Sequence, residues 1–435
     1  MRGRPQSPVE LQKPLIAAVS MGYGHLRAAY ALAGGCNGAV AQVDQPPWAP
    51  PQEVRLWSRL RHSYEWLSRF SQWPTFSWAG RWVLESITAI PHLYAQRDLR
   101  KPTLGVKFLE RLLEKGLGKN LIRQLEGSGQ PLLTTFYIPA LAAARYHYPK
   151  TVCVVTDSDV NRVWVPREPQ GSKILYCVPT KRTKQRLLAF GVRPECIFVT
   201  GFPLPLELVS EEELAFLRGQ VAERIARLDP AGSFRQAYGT ELAHLLGTVP
   251  ETKEPPRLTF AVGGAGSQHH LALPIIRSVA RAVQQGQLAL ALVAGTREEI
   301  AEDFFHWLES CGLGDGSEDT ARVIWAANLE EYFEAFNRLL LETDILWTKP
   351  SELTFYAALG IPLIFSPPVG VHERLNRRWA IQKGAGLKQD RPELTWHWLT
   401  EWLQDGILAG AAWSGFMRLP KFGTSRILEV VKTLC

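Results

Sequence analysis

The sequence lacks any long hydrophobic run. None of the apolar stretches in its 435 residues approaches the roughly 20 residues that a helix needs to cross a bilayer. The N-terminal segment 1–13 is basic and polar, and only Leu15–Val19 is apolar before Gly22. That short run predicts a first strand and not a signal peptide. We therefore expect a cytoplasmic protein.

Paired cysteines and metal-binding motifs are also missing. The six cysteines are scattered without the spacing of a zinc site or a disulfide framework, so free thiols in a reducing cytoplasm are expected. The sequence has no paired-aspartate metal site, no recognised nucleic-acid motif, no low-complexity tract and no short repeat. We expect no nucleic acid as a partner. The net charge of +7 suits an anionic ligand or membrane surface.

What is present is an alternation of apolar strands and helices. A hydrophobic content of 46% and a charged content of 21% describe a globular soluble protein, and 435 residues are about right for two domains. Strand Leu15–Val19, a turn containing Gly22 and Gly24, and helix Leu26–Ala33 form the opening unit of a doubly wound sheet. Further strands are predicted at Leu132–Thr135, Thr151–Thr156, Ile174–Val178 and Ile197–Thr200.

His25 directly follows the glycines of the first turn. Glycine lets the backbone approach a ligand closely, and a neutral imidazole at a helix start can take a proton from a hydroxyl. His25 is therefore a candidate base, and the alternative is that it only caps its helix. Asp157 is the second candidate, because a carboxylate at the end of a central strand points into the ligand crevice. It can hold a sugar hydroxyl, act as a base, or serve only as a turn residue.

Residues 48–108 differ from the rest of the first half. Six of the fifteen tryptophans lie between Trp48 and Trp82, interleaved with arginines. Basic, tryptophan-rich amphipathic helices suit an anionic membrane interface, which predicts an acceptor side that faces the inner surface of a membrane. The alternative is a set of packed helices inserted in the first domain, with their arginines in solvent.

A second half of the same design follows the linker Val249–Arg257. Strand Leu258–Val262 leads into a glycine-rich loop of the phosphate-binding type and then into helix Leu271–Gln284. The loop supplies four candidate ligand-binding residues, which are Gly263, Gly264, Gly266 and Ser267.

A lysine turn is the other candidate anion site of the second half. It follows strand Asp344–Trp347, and a helix is predicted to start near Pro350 with Ser351 and Glu352 in its first turn. The N–H groups of that helix and the charge of Lys349 suit an anionic ligand. The lysine turn and the glycine loop would then converge on one diphosphate. Alternatively, Lys349 is a solvated turn residue and Ser351 merely a cap.

Together these residues resemble the GT-B glycosyltransferases. The subgroup is that of monogalactosyldiacylglycerol synthase and the peptidoglycan lipid-intermediate N-acetylglucosaminyltransferase, and the resemblance covers roughly 15–387. The resemblance rests on the order and spacing of several motifs more than on any single one. The matching segments are Gly22-Tyr23-Gly24-His25, Val155-Thr156-Asp157 with Trp164, Gly263-Gly264-Ala265-Gly266, Thr348-Lys349 with Thr354, and Glu373 with Asn376.

The resemblance implies an α/β protein with two doubly wound Rossmann-like domains that face each other across a cleft. It implies an acceptor-side domain over 1–205 that includes the insert 48–108, followed by a helical segment and linker over 206–257. A nucleotide-sugar-binding domain over 258–410 and a C-terminal helix within 411–435, packing back on the first domain, complete the chain.

The implied reaction is transfer of a sugar from a nucleotide diphosphate donor, a UDP-sugar, to a lipid-like hydroxyl, with inversion and without a required metal or other cofactor. His25 or Asp157 would be the base, while the glycine loop and Lys349 would stabilise the leaving diphosphate. Glu373 and Asn376 would hold sugar or ribose hydroxyls. Alternatively, Glu373 and Asn376 belong to a solvated loop before a helix and bind no ligand.

The sequence departs from the family pattern at the lysine turn. Ser351 and Leu353 replace its glycines, and Ala357 stands where the family has a ribose-holding glutamate. Glu352 is a candidate to take over that contact, and Asn161 stands in place of a histidine near Asp157. These departures keep two alternatives open: a GT-B-fold nucleotide- or lipid-binding protein without transfer activity, and a nucleotide-sugar epimerase.

Overall fold

The computed structural model describes residues 13–70, 90–93, 98–210, 212, 214–264, 266–314 and 320–434, and of residues 61–70 only the backbone. Twelve strands lie in these ranges. They are β1 (Leu15–Ala18), β2 (Val40–Gln42), β3 (Leu132–Thr134), β4 (Thr151–Val154), β5 (Leu175–Val178), β6 (Ile197–Val199), β7 (Arg257–Ala261), β8 (Ala289–Gly295), β9 (Ala321–Trp325), β10 (Ile345–Thr348), β11 (Leu363–Phe365) and β12 (Gly386–Lys388).

The α-helices of the described chain connect and cover these strands. They are α1 (Tyr23–Cys36), α2 (Pro51–Phe70), α3 (Leu104–Glu114), α4 (Lys119–Ser128), α5 (Tyr137–Arg145), α6 (Lys181–Ala189), α7 (Leu214–Leu228), α8 (Ser233–Leu246), α9 (Ala272–Gln284), α10 (Glu298–Ser310), α11 (Leu329–Glu342), α12 (Val371–Gln382), α13 (Thr395–Gln404), α14 (Ile407–Arg418) and α15 (Gly423–Lys432). Short 3-10 helices occupy Arg162–Trp164, Pro169–Gly171, Pro194–Cys196, His269–Leu271, Glu352–Leu359 and Pro392–Leu394.

The strands form two six-stranded parallel sheets, one in each half of the chain. Their orders are β2-β1-β3-β4-β5-β6 and β12-β11-β10-β7-β8-β9. Strands in such sheets are covered on both faces and therefore consist of continuous apolar runs; all seven residues of β8 are buried. The prediction of two doubly wound Rossmann-like domains facing across a cleft is confirmed.

Each sheet has a point where the strand order reverses. In the first sheet it lies between β1 and β3, and in the second between β7 and β10. Ligands of open α/β sheets bind in the crevice outside the carboxyl ends of the strands at such a point. The turn after β1, the loop after β7 and the lysine turn after β10 all lie there.

The last two helices tie the halves together. Helix α14 packs on the second half so closely that a Cβ on Gly415 would lie 2.3 Å from the carbonyl oxygen of Ala357. Helix α15 then returns to α1, where a Cβ on Gly35 would lie 2.8 Å from Cγ2 of Thr424. The chain therefore crosses between the halves a second time after residue 418.

Two predicted helix boundaries differ from the structure. Helix α1 begins at Tyr23, before His25, because Gly22 adopts a φ of 95° and lets the chain turn directly from strand to helix. The α-helix predicted from Pro350 is instead the 3-10 helix Glu352–Leu359. A 3-10 helix rises about 2.0 Å per residue against 1.5 Å in an α-helix, so this short segment reaches about 4 Å farther towards β11.

The described part of the tryptophan-rich insert agrees with packed helices. Trp57 of α2 is 2% exposed and Leu60 is also buried, while Arg55 and Arg59 face solvent. The side chain of Trp66, together with Trp73, Trp78 and Trp82, lies outside the described residues. Among the helices that the structure describes, none combines the length and apolar character of a membrane span.

Candidate active site

His25 lies in the first turn of α1, at the switch point of the first sheet. Its Nδ1 is 2.8 Å from the carbonyl oxygen of Thr135 and 3.0 Å from Oγ1 of Thr156. A carbonyl oxygen only accepts hydrogen bonds, so Nδ1 carries the proton and Nε2 keeps a lone pair. Burial lowers the pKa of His25, and the carboxylate of Asp157 opposes that shift only in part. The side chain is thus held as a neutral base.

Aromatic side chains wall one side of His25. The ring of Phe136 stands edge-on at 4.7 Å and that of Trp164 at 6.1 Å, while Tyr137 packs against Trp164 at 5.3 Å. Phe136 and Tyr137 follow β3, which pairs with β1, and Trp164 follows β4, the next strand of the sheet. The wall contributes the desolvation that keeps the imidazole neutral.

Asp157, the second candidate base, takes part in a contact between the domains. Its Oδ1 accepts a hydrogen bond of 3.0 Å from Nδ2 of Asn376. The same amide group donates to the carbonyl oxygen of Pro350 at 3.3 Å and accepts from the backbone N–H of Ser158 at 2.9 Å. Both amide protons of the fully buried Asn376 are therefore used by protein atoms. Asn376 thus forms a bridge across the cleft, and its predicted contact with a sugar or ribose stays a prediction.

Lys349 and Glu373 form an ion pair on the opposite side of the cleft. Nζ of Lys349 lies 3.1 Å from Oε1 of Glu373, and Oε2 accepts the backbone N–H of Val369 at 2.7 Å. Burial opposes ionisation of Glu373, yet the Lys349 ammonium and His372 hold the pKa of this carboxyl below its ordinary value. The predicted hydroxyl-binding glutamate thus anchors the lysine.

The glycine loop lies directly under the lysine side chain. A Cβ on Gly263 would be 2.2 Å from Cε of Lys349, so only glycine leaves room for the aliphatic stem. The carbonyl oxygen of Gly264 accepts from Nε of Arg297 at 3.2 Å. The carbonyl oxygen of Gly266 lies 3.1 Å from Nδ1 of His269. Loop and lysine turn therefore meet, as predicted, at the switch point of the second sheet.

The remaining candidate residues of the lysine turn and the glycine loop lie in different surroundings. Glu352 reaches the first domain, since a Cβ on Gly24 would lie 3.1 Å from its Oε2. Ser351 does not cap the helix, and its hydroxyl contacts the carbonyl oxygen of Lys349 at 3.4 Å. Thr354 is fully buried in this arrangement, and its predicted ligand contact stays a prediction. Ser267 is half-buried at the end of the glycine loop.

Three residues near the cleft escaped the sequence-based prediction. Arg297 follows β8, and its position after a buried strand beside the glycine loop was the available signal. Tyr23 and Arg27 lie on α1 and contact the second domain. The helical spacing of Tyr23 and Arg27 shows that they share one face of α1, but it does not show which part of the chain that face contacts.

Comparisons with known proteins agree with this architecture. Residues 249–391 match a family model described as a domain of unknown function, DUF6938. The chain is 23% identical over 296 residues to the processive diacylglycerol beta-glucosyltransferase of Bacillus subtilis (strain 168). That match covers 66% of this chain and 65% of the enzyme, so the chain spans slightly less than two thirds of its relative.

Solved structures show the same fold along nearly the whole chain. A candidate UDP-N-acetylglucosamine 2-epimerase from Listeria monocytogenes superposes with a TM-score of 0.51 at 11% identity. The S. aureus MnaA–UDP co-structure gives 0.50 at 13% identity. Each comparison covers 97% of this chain and 96% of the other. The chain has the GT-B fold, and its sequence is similar to that of a lipid glycosyltransferase.

Proposed function

We propose that this protein transfers a sugar from a uridine diphosphate donor to a hydroxyl of a lipid-like acceptor, with inversion. The first domain, 1–205, takes the acceptor, and the second, 258–410, takes the donor. The observation that carries this proposal is the meeting of two unlike groups in one cleft. A neutral histidine with a free lone pair faces it from one sheet, and a lysine over a glycine loop faces it from the other.

Contacts across the cleft support a single site. Asn376 bonds to Asp157 on the base side and to the carbonyl oxygen of Pro350, next to Lys349, on the donor side. His372 influences the pKa of both His25 and Glu373, which belong to opposite sides. A sugar held between the two sheets would therefore meet the base and the leaving-group cradle together.

The reaction requires one bond to form and one to break. The acceptor oxygen bonds to the anomeric carbon while its proton passes to Nε2 of His25, and the bond from that carbon to the diphosphate oxygen breaks. The diphosphate leaves with the electron pair and is stabilised by Lys349 and the N–H groups of the glycine loop. Because the base and the leaving group lie on opposite sides of the cleft, attack comes from the face opposite the diphosphate, which inverts the anomeric carbon.

An exposed apolar patch on α3 supports a lipid acceptor and peripheral membrane contact. Leu104 is 65% exposed and Phe108 is 50% exposed, one helical turn apart, and Lys107 and Arg111 are exposed beside them. Apolar side chains flanked by cations suit an anionic membrane surface. The relative whose name includes diacylglycerol supports the same acceptor class.

The test is a transfer assay with a matched binding measurement. The protein is incubated with radiolabelled UDP-sugars and vesicles that contain diacylglycerol, and the label in the organic phase is counted. We expect labelled lipid from at least one UDP-sugar, and at least about 100-fold less labelled lipid with Lys349→Ala. A purified protein that binds UDP but labels no lipid hydroxyl would contradict the transfer proposal.

The same assay separates the two alternatives. A nucleotide-sugar epimerase would convert the donor to its epimer without vesicles, which chromatography of the nucleotide sugar detects. A binding protein without transfer activity would retain the donor unchanged. We expect neither result, and we expect that excess EDTA leaves transfer unchanged, because the proposed leaving-group stabilisation uses Lys349 and backbone N–H groups.

A further inference from the structure

Tyr23 crosses the cleft and lies on the glycine loop of the other domain. It is the first residue of α1, yet its hydroxyl is 2.6 Å from Oγ1 of Thr296 and accepts the backbone N–H of the same residue at 3.2 Å. Thr296 directly follows β8. The side chain therefore spans the space between the domains and has its polar atom satisfied on the far side.

The ring leaves no gap above the loop backbone. A Cβ on Gly264 would lie 2.8 Å from Cγ of Tyr23, and a Cβ on Gly295 would lie 3.1 Å from its Cε2. The two glycines follow or end β7 and β8, the strands beside the switch point. A ligand cannot lie between the ring and these loops in this arrangement.

The space that the ring of Tyr23 fills suits a nucleoside. The place accommodates a flat ring between two glycine backbones and offers Thr296 as a hydrogen-bond donor and acceptor at the ring's polar end. It adjoins the loop and the lysine that cradle the diphosphate. A nucleobase or ribose has the matching chemistry: a flat or compact ring with polar atoms at its edge.

The neighbouring face of α1 makes separate contacts with the second domain. Arg27 and Tyr30 lie on this face at helical spacing and pack on α11 of the second domain. The Arg27 guanidinium lies 4.6 Å from the ring centre of Phe333 and 4.5 Å from that of Phe336, and the ring of Tyr30 is 5.1 Å from Phe333. The two phenylalanine rings and a hydrogen bond of 3.2 Å from Nη2 of Arg27 to the hydroxyl of Tyr332 hold the buried guanidinium.

We propose that Tyr23 is an internal occupant of the nucleoside subsite and competes with the donor. In the donor-free protein its ring fills the subsite and clasps the domains together. Donor binding expels the ring. The identity of the displacing ligand rests on the proposed function, whereas the clasp itself rests only on the contacts of Tyr23.

The first test compares nucleotide affinities. Calorimetric titration of UDP into Tyr23→Ala is expected to give about tenfold tighter binding than into the wild type. The reason is that UDP no longer has to displace the tyrosine ring from the subsite. Tyr30→Ala is the matched control, since it removes a ring from the same helix face without touching the glycine loop, and its affinity should stay within about twofold. Equal or weaker UDP binding by Tyr23→Ala would overturn the proposal.

A second measurement keeps the clasp testable without any nucleotide. Small-angle scattering of the ligand-free proteins should show a larger radius of gyration for Tyr23→Ala than for the wild type and Tyr30→Ala. If no variant binds a nucleotide, the proposed donor is wrong, and the scattering result alone decides the clasp. An unchanged radius of gyration would then overturn it.

Discussion

The two glycine turns of this chain, at Gly22 and at Gly263, both follow a strand and precede a helix, but their structures differ. The turn at Gly22 passes at once into α1, which begins at Tyr23 and aims side chains into the cleft. The loop at Gly263 reaches α9 only through the 3-10 helix His269–Leu271 and offers its backbone to the cleft. In the proposed function, the first turn supplies the base, and the second supplies space and N–H groups for the diphosphate.

A strand–glycine–helix unit therefore does not by itself define a phosphate site. What matters is where the helix starts. Because α1 starts directly after Gly22, His25 lies in the first turn of a helix. The later helix start after Gly263 leaves a loop, and the side chain of Lys349 lies over that loop.

Removing the base should have the largest effect. His25→Gln is expected to lower kcat for sugar transfer by about 10²- to 10⁴-fold, because proton abstraction by a positioned base contributes that much. UDP affinity should remain at the wild-type value. Steady-state kinetics and calorimetry measure both quantities, and the exposed His397→Gln is the control that should change neither.

The pH dependence gives a second check on the same residue. Burial lowers the pKa of His25 below its ordinary value of 6.5, so the acidic limb of kcat/KM should fall below that pH. The unfolded chain binds this proton first as pH falls, so the native state should lose stability below pH 6.5. Denaturant titrations should show a smaller loss for His25→Gln, and an identical loss in both proteins would contradict the neutral-base assignment.

Removing the lysine should have a comparable but differently distributed effect. Lys349→Ala is expected to lower kcat/KM by about 10²- to 10³-fold, as loss of one group that stabilises developing charge does. In contrast to His25→Gln, UDP binding should also be lost. Lys388→Ala removes an exposed lysine at the end of β12 and should behave as the wild type.

A single methyl group in the second turn should have a smaller effect. The Cβ of Gly263→Ala would displace the Lys349 side chain, and we expect about tenfold weaker UDP binding by calorimetry. Stability should change little, since the displaced atoms are the flexible end of a lysine. Gly34→Ala is the control because nothing lies within 4 Å of its Cβ, and it should stabilise α1 slightly.

The bridge between the domains should contribute the least to chemistry. Asn376→Ala leaves buried polar groups without partners and should lower the free energy of unfolding by about 1–3 kcal/mol. Combining it with Asp157→Ala in a double-mutant cycle by chemical denaturation should give a favourable coupling energy. Strict additivity would show that the Asp157–Asn376 hydrogen bond does not hold the domains.

Much of this architecture could be predicted because parallel strands are short, continuous apolar runs. The rule that ligands lie at strand ends predicted that His25, the glycine loop and Lys349 lie at the carboxyl ends of the strands, and the structure has them at the two switch points. The 3-10 helix after Lys349 escaped prediction, since its winding depends on the distance that the chain has to cover to β11. No local signal gives that distance.

The residues that join the domains could not be predicted either. Arg27 and its partner Tyr332 are separated by 305 positions, and only the closed arrangement of two sheets brings them together. Likewise, the hydrogen bond from Asn376 to Asp157 depends on domain closure. The sequence motif that contains Asn376 carries no signal of this contact with the other domain.

The most direct test of the account is calorimetric titration of UDP into the wild type, His25→Gln and Lys349→Ala. In the proposed function, the base lies in one turn and the donor's diphosphate binds at the other. We therefore expect that His25→Gln binds UDP as the wild type does, while Lys349→Ala shows no saturable binding. Undiminished binding by Lys349→Ala, or loss of binding in His25→Gln alone, would contradict it.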